Sequence, residues 1–340
     1  MKILEIGDLH FGEKGNSEKF NTQVLNFLSW AVEQAHKHNV DAIVQFGDYY
    51  HTRHEINTET LTMGIHGAQL LEASGIDTYA LLGNHDLHYL NRLDVSSLNA
   101  LRRIINIIDE PTMIGDDVYV VPWVNDEFVW QAAVNNHNEA KYLFGHFEFN
   151  GFKVNDGYEM EHGLSASELK GYTRVVSGHY HSTQTKGNVT YLGTPFPITM
   201  NEANEQHGIF ILDTETDEHT FIEYPVMKVV SVPYTRINDV LEMDPDNTSV
   251  RIEFPDDLED ETLIGDCTKR LMDAGFSEIK TKYTNKKART LLESEAVEIA
   301  HVDDIDQVVI DHLRAAAEVN GVSNALLEEL YVEAKDKGEE

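Results

Sequence analysis

A single cysteine, Cys267, stands in 340 residues, so no internal disulfide can form and a reducing compartment such as a cytoplasm is expected. Long apolar runs are missing too. The first residues, MKILEIGDLH, lead straight into a strand pattern, and no stretch approaches ~18 apolar residues, so neither a signal peptide nor a membrane span is expected. Positive charge is scarce: 26 Lys and Arg face 59 Asp and Glu, a formal net charge of −33. Affinity for nucleic acid normally begins with Lys and Arg on phosphates, so this balance counts against a nucleic-acid binder and is first of all a solubility feature. There is no internal repeat and no low-complexity tract.

What remains is the make-up of a soluble globular protein, 41% apolar and 9% aromatic, long enough for a catalytic domain plus smaller units. Strand-like runs at 2–7, 41–46, 76–82, 117–123, 140–145 and 173–177 alternate with helical patterns at 18–38, 57–74, 95–108 and about 127–137. In the third of these helices Leu98, Leu101, Ile105 and Ile108 would share one face. This alternation predicts an α/β fold with a mainly parallel sheet covered by helices. From 188 to 232 short strands follow one another, as in an antiparallel extension. After Tyr234 the order helix, strand, helix, strand over 235–243, 248–254, 260–274 and 277–283 predicts a small α+β unit. The expected division is therefore 1–225, 226–283, a polar linker at 284–301 and, at 302–340, a helical hairpin too small to bury its own apolar face. It packs either on the rest of the chain or on a partner.

Five short motifs fall at the ends of predicted strands: Asp8-Leu9-His10, Gly47-Asp48, Gly83-Asn84-His85-Asp86, Gly145-His146 and Gly178-His179-Tyr180-His181. In an open α/β sheet the crevice beyond the carboxyl ends of the strands is where ligands bind, and parallel strands bring all five motifs to one edge. An Asp and a His two residues apart can point to one side of an extended segment. Carboxylate, amide oxygen and imidazole without thiolate suit Mn, Fe or Zn. The set is large enough for two ions sharing a carboxylate, and two ions ~3.5–4 Å apart stabilise charge on a phosphoryl group. A histidine beside them, such as His85, can protonate a leaving oxygen or donate to developing charge.

The order DxH, GD, GNH, GH, GHxH resembles the calcineurin-like metallophosphoesterase superfamily over roughly residues 1–215. The resemblance implies a sandwich of mixed sheets flanked by helices. It implies that Asp8, His10, Asp48 and His181 ligate one metal, that Asp48 bridges to a second held by Asn84, His146 and His179, and that His85 is the transition-state histidine. Asp86 is expected either to orient the His85 ring or to be a surface carboxylate.

Where the protein phosphatases of that superfamily carry a V-D-R-G element, this chain reads YYHTR. GD followed by two bulky residues and a histidine is similar to the DNA double-strand-break repair nucleases of the SbcD or Mre-eleven type, those of T-even bacteriophage recombination among them. This narrower resemblance implies a Mn2+-dependent nuclease, with Mg2+ and Fe2+ as the alternative metals. It implies 3′→5′ exonuclease action on double-stranded ends and endonuclease action on single strands, with His51 at the position linked to the exonuclease. It implies DNA capping by 226–283, docking of the C-terminal hairpin on a coiled-coil SbcC-type ATPase, and a homodimer through 57–73 or 89–108, located in a bacterial host's cytoplasm if phage-encoded. The alternative is another two-metal phosphoesterase acting on phosphoproteins or small nucleotides. Two divalent ions would add positive charge at the scissile phosphate, which answers part of the charge objection. The run Lys280, Lys282, Lys286, Lys287 and Arg289 is either a DNA contact or a solvated linker, and Tyr49 and Tyr50 either pack in the core or stack on a terminal base.

Overall fold

The computed structural model describes residues 1–124, 126–135, 140–155, 158–255 and 261–284. The linker and hairpin expected beyond 284, with Lys286, Lys287 and Arg289, lie outside the described residues.

In chain order the elements are β1 (Lys2–Ile6), a short turn α1 (Glu13–Asn16), α2 (Glu18–His38), β2 (Ala42–Gln45), α3 (Thr58–Ala73), β3 (Asp77–Leu81), β4 (Asn106–Ile108), β5 (Thr112–Ile114), β6 (Val118–Val121), α4 (Glu127–Asn135) and β7 (Tyr142–His146). There follow β8 (Lys153–Asn155), β9 (Tyr158–Glu159), β10 (Arg174–Gly178), β11 (Gln184–Lys186), β12 (Val189–Tyr191), β13 (Gly208–Asp213), β14 (Glu218–Glu223), β15 (Lys228–Pro233), α5 (Ile237–Val240), β16 (Thr248–Pro255), α6 (Glu261–Asp273) and β17 (Ile279–Thr284).

Two six-stranded sheets carry the fold, in the orders β14-β13-β1-β2-β3-β4 and β11-β12-β10-β7-β6-β5. Each has a parallel run, β1-β2-β3-β4 in one and β6-β7-β10-β12 in the other; β13 and β14 extend the first on one side, and β5 and β11 flank the second, all by antiparallel pairing. The alternating pattern therefore resolves into two mixed sheets rather than one. Both central strand sets are buried on two faces, and that continuous apolar reading does not say which sheet a strand joins. Ile3, Val44 and Leu81 meet Val120, Phe144 and Val176 between the sheets. The outer face of the first sheet packs on α2 and α3, that of the second on α4.

Local chemistry explains the main helices. In α2, Phe20, Val24, Phe27, Leu28, Ala31 and Ala35 are buried at helical spacing, Ser17 caps the start by accepting from the Phe20 amide, and Asn39 ends it in the left-handed conformation. In α3 the buried face runs Thr60, Gly64, Gly67, Ala68 and Leu71, with small residues at its middle. A methyl at Gly64 would stand 2.4 Å from the Tyr50 hydroxyl, so the helix closes on the tyrosines only because glycine is there. The helix expected over 95–108 does not form. A 3-10 turn at Ser97–Leu101 leads into β4, which pairs with β3. The spacing of Leu98, Leu101 and Ile105 mimics a helix face, but all three reach the core from a turn and the approach to a strand.

The residues after 226 form a separate sheet, β15-β16-β17, backed by α5 and α6 over their own apolar cluster. The antiparallel extension expected over 188–232 is found in β13 and β14, whereas β15 leaves it and runs parallel to β16. Among the described residues no helix is long and apolar enough to cross a membrane.

Candidate metal centre

The parallel centres of the two sheets end at a common mouth. Asp8 and His10 follow β1, Asp48 follows β2, Asn84 follows β3, His146 closes β7, and His179 and His181 follow β10. Extended geometry is not how they converge. His10, Asp48 and His179 have φ of 50°, 51° and 92°, a left-handed backbone that bends each motif toward the mouth. Such conformations cost about 1–3 kcal/mol each and persist where the surroundings enforce them. The neighbouring glycines are required for close approach. A Cβ at Gly83 would lie 2.3 Å from the Asp48 carboxylate, and one at Gly178 would lie 2.6 Å from that of Asp8.

Two donor groups result, Asp8–His10–His181 and Asp48–His146–His179, with ligand atoms within 4.8 Å of one another in each. In the first, His10 Nε2 and His181 Nε2 face each other at 3.2 Å. In the second, Asn84 Oδ1 lies 3.0 Å from both His146 Nε2 and His179 Nδ1. Asp48 Oδ2 stands between the groups, 3.8 Å from His10 Nε2 and 3.4 Å from His146 Nε2. Its other oxygen, Oδ1, accepts from the His85 amide at 2.7 Å.

Electrostatics follow from burial. Burial lifts the Asp8 carboxyl to about 7, against the pull of His146. Burial works on Asp48 in the same direction, but His146 and then His10 hold it well below the usual carboxylate range. Burial opposes charge on His146 as well, yet Asp48 and Asp8 carry it up to about 9. His10 is pushed well below its ordinary value by burial. The donor set is thus two interior carboxylates, an amide oxygen and four imidazoles, with no thiolate among them. Hard and borderline divalent cations fit this donor set; soft-metal or cluster chemistry, which wants thiolate, does not.

Around these donors lies an outer ring of carboxylates that sequence reading missed. Glu148 Oε2 lies 3.3 Å from His179 Nε2, and buried Glu202 Oε1 lies 3.4 Å from His181 Nδ1. Each takes the nitrogen that does not face the donor group, as the outer partners of metal-bound histidines do. Glu13 Oε2 lies 2.6 Å from His51 Nδ1. The Trp123 indole packs against His179 and His146, at centroid distances of 5.3 and 5.9 Å. Glu148 sits two residues after His146, a spacing that could have flagged it. Glu13 and Glu202 carry no such signal among 59 acidic residues.

His51 and His85 stand at the lip, half-buried, with rings stacked at 5.5 Å. They form a third group with His10. The His85 ring is held by the His51 carbonyl, which accepts from Nδ1 at 2.6 Å. Asp86 does not orient it. Its buried carboxylate accepts instead from the amides of Tyr49, Tyr50 and Gly83, at 3.1, 3.2 and 3.0 Å, and so ties the turn after β2 to the turn after β3. The tyrosines pack. Both are fully buried, and the Tyr49 hydroxyl donates to the Gly64 carbonyl at 2.7 Å.

The calcineurin-like phosphoesterase family model matches residues 1–183. Exonuclease subunit 1 of Enterobacteria phage T4 is 32% identical over 229 residues, covering 65% of this chain and 67% of that relative. The SbcD component of the SbcCD nuclease of Escherichia coli is 21% identical over 356 residues, covering 88% of this chain and 84% of the relative. A dimetal phosphatase from Danio rerio is similar in structure at a TM-score of 0.40 with 13% identity, over 62% of this chain and 91% of that one. The chain belongs to the calcineurin-like phosphoesterase family.

Proposed function

We propose that this protein is a DNA nuclease with a two-metal site, Asp8, His10, Asp48 and His181 holding one divalent cation and Asp48, Asn84, His146 and His179 the other. The observation that carries this reading is the position of Asp48 Oδ2, within reach of a histidine from each donor group. Bound cations supply Lewis acidity for the phosphoryl oxygens; Mn2+ is the proposed metal, with Mg2+ and Fe2+ as alternatives. The chain's own residues do the rest. Glu148 and Glu202 orient His179 and His181. His85, fixed through Nδ1 by the His51 carbonyl, keeps Nε2 for the leaving oxygen or for charge on phosphorus. His51 positions the terminal phosphate of a duplex end.

DNA is proposed as substrate because the relatives are named as components of an exonuclease and of a nuclease, and because YYHTR replaces the phosphatase element. Those names also support a partner protein. We assign residues 302–340 to an SbcC-type ATPase partner and 226–283 to capping the DNA. Exposed Tyr89, Leu90 and Val95 support homodimerisation through 89–108.

The test compares His51→Ala and His85→Ala, with Mn2+, on duplex ends and on single-stranded circles. His85→Ala should lose both activities. His51→Ala should lose mainly duplex exonuclease, because its backbone carbonyl still holds His85. Equal activity of His51→Ala and wild type on duplex ends would remove His51 from the mechanism. A wild-type protein inert on every DNA would overturn the substrate.

A further inference from the structure

We infer that Glu13 is the positioning residue for His51: its carboxylate holds the ring through Nδ1–H, so that Nε2 is the nitrogen left to meet the DNA. The inference rests on the proposed role of His51 in duplex cleavage and adds what makes that ring usable. His51 Nδ1 has two neighbours, Glu13 Oε2 at 2.6 Å and His10 Nδ1 at 3.4 Å. A carboxylate only accepts, so the short contact puts the proton on His51 Nδ1. With Nδ1 committed to Glu13, Nε2 is the ring nitrogen left for DNA, and because a phosphate oxygen only accepts, it meets that oxygen as N–H.

Both partners stand on fixed backbone, so little freedom is lost in joining them. The His51 amide donates to the Phe11 carbonyl at 2.9 Å, and the His51 carbonyl receives the His85 ring. On the other side the Glu13 amide donates to the His10 carbonyl at 3.0 Å. The Gly12 amide donates to Asn21 Oδ1 at 2.8 Å, and Asn16 Oδ1 accepts from the Thr60 hydroxyl at 2.9 Å. Gly12 has a φ of +93°, which lets this turn bring Glu13 back over the lip. An exposed ion pair on long, free side chains would be worth little. Here His51 is 36% and Glu13 23% exposed, and each side chain grows from a pinned main chain.

The ring state is read directly in metal-free protein. Two-bond 15N–1H spectra of 15N-histidine-labelled chain at about pH 8 distinguish the tautomers, with His51→Ala assigning the signal. Wild type should show a proton on His51 Nδ1. Glu13→Ala should move the proton to Nε2, the form free histidine prefers. Glu13→Gln should keep Nδ1–H, because the amide oxygen still accepts. With Mn2+ and DNA, Glu13→Ala should lose about 10–100-fold on duplex ends, the usual cost of an outer partner, and stay within about 2-fold on single strands. Glu13→Gln should recover most of that loss, and adding Glu13→Ala to His51→Ala should cost nothing more. A wild-type ring without a proton on Nδ1, an Nδ1 signal unchanged in Glu13→Ala, or equal losses on the two substrates would overturn the inference. If wild type cuts no DNA, the substrate reading fails, while the metal-free spectra still decide what Glu13 does to the ring.

Discussion

At the mouth of the sandwich Asp8, His10, Asp48, Asn84, Asp86 and His146 are all buried, whereas the sheet of β15–β17 closes over Val240, Val250, Ile252, Phe254 and Leu271. Among the described residues of that sheet no carboxylate or imidazole is buried. The same chain thus uses burial in two ways. In the small sheet, apolar area removed from water is plain stabilisation, about 25 cal/mol per Å2. At the mouth, burial desolvates groups that would rather stay wet, and the return is chemistry rather than stability. Changes at the mouth should therefore cost activity with the fold kept, and changes in the small sheet should cost stability with the chemistry kept.

The sharpest way to break that contrast is Asp48→Asn. The amide keeps the shape, and its oxygen can still accept from the His85 amide, but the charge between the two donor groups is gone. Nuclease activity on both duplex and single-stranded DNA should fall by more than the roughly 10–100-fold of an outer-partner change, about 10³-fold or beyond. Calorimetric titration of metal-free protein with Mn2+ should show fewer ions bound than wild type, while circular dichroism stays unchanged. Wild-type stoichiometry in the variant would remove Asp48 from its bridging place.

Ile252→Ala is the counterpart. Ile252 is fully buried on β16, the middle strand of the small sheet. Truncating a buried isoleucine leaves a cavity and costs about 2–5 kcal/mol. Denaturant unfolding should show that loss, while cleavage of a short single-stranded substrate at low temperature stays within about 2-fold of wild type. Chemistry that collapses with Ile252 would mean that the small sheet shapes the mouth.

The same contrast explains what was legible in the sequence. Asp8, His10, Asp48, Asn84, His146, His179 and His181 could be picked out as candidates because each sits beside a glycine or in a repeated Asp/His spacing, and the five motifs recur at successive strand ends. The family match bears out the resemblance drawn from those motifs, and the two mixed sheets bear out its fold. The backbone could not be read so well. Left-handed His10, Asp48 and His179 replace the extended pairs expected, since pattern carries periodicity and not the sign of φ. Leu98, Leu101, Ile105 and Ile108 reproduce a helical period without a helix, because core-facing residues of a turn and a strand can fall at the same spacing. Adjacency in sequence sets Asp86 beside His85, yet successive residues in a tight turn face different ways, and its carboxylate goes to the backbone of Tyr49 and Tyr50. Glu148 could have been flagged by its place two residues after His146, but nothing marks Glu13 and Glu202 among so many acids.

The smallest effect is expected where the two regions touch. Lys14, next to Glu13, pairs with Glu278 of the small sheet at 2.7 Å, and Glu278 also accepts from the Ser249 hydroxyl. The side chains are 26% and 38% exposed, so water and salt screen the pair. Pairs of this kind are worth about 0.2–1 kcal/mol. A double-mutant cycle of Lys14→Ala and Glu278→Gln should return a coupling in that range at low salt, and a smaller one in ~1 M NaCl, where salt screens partly exposed charges. Activity on single strands should not change. A coupling several times larger, or one undiminished by high salt, would mean that the ion pair fastens the small sheet to the turn carrying Glu13. The two regions would then be one mechanical unit, and the separation of stability from chemistry would fail at this contact first.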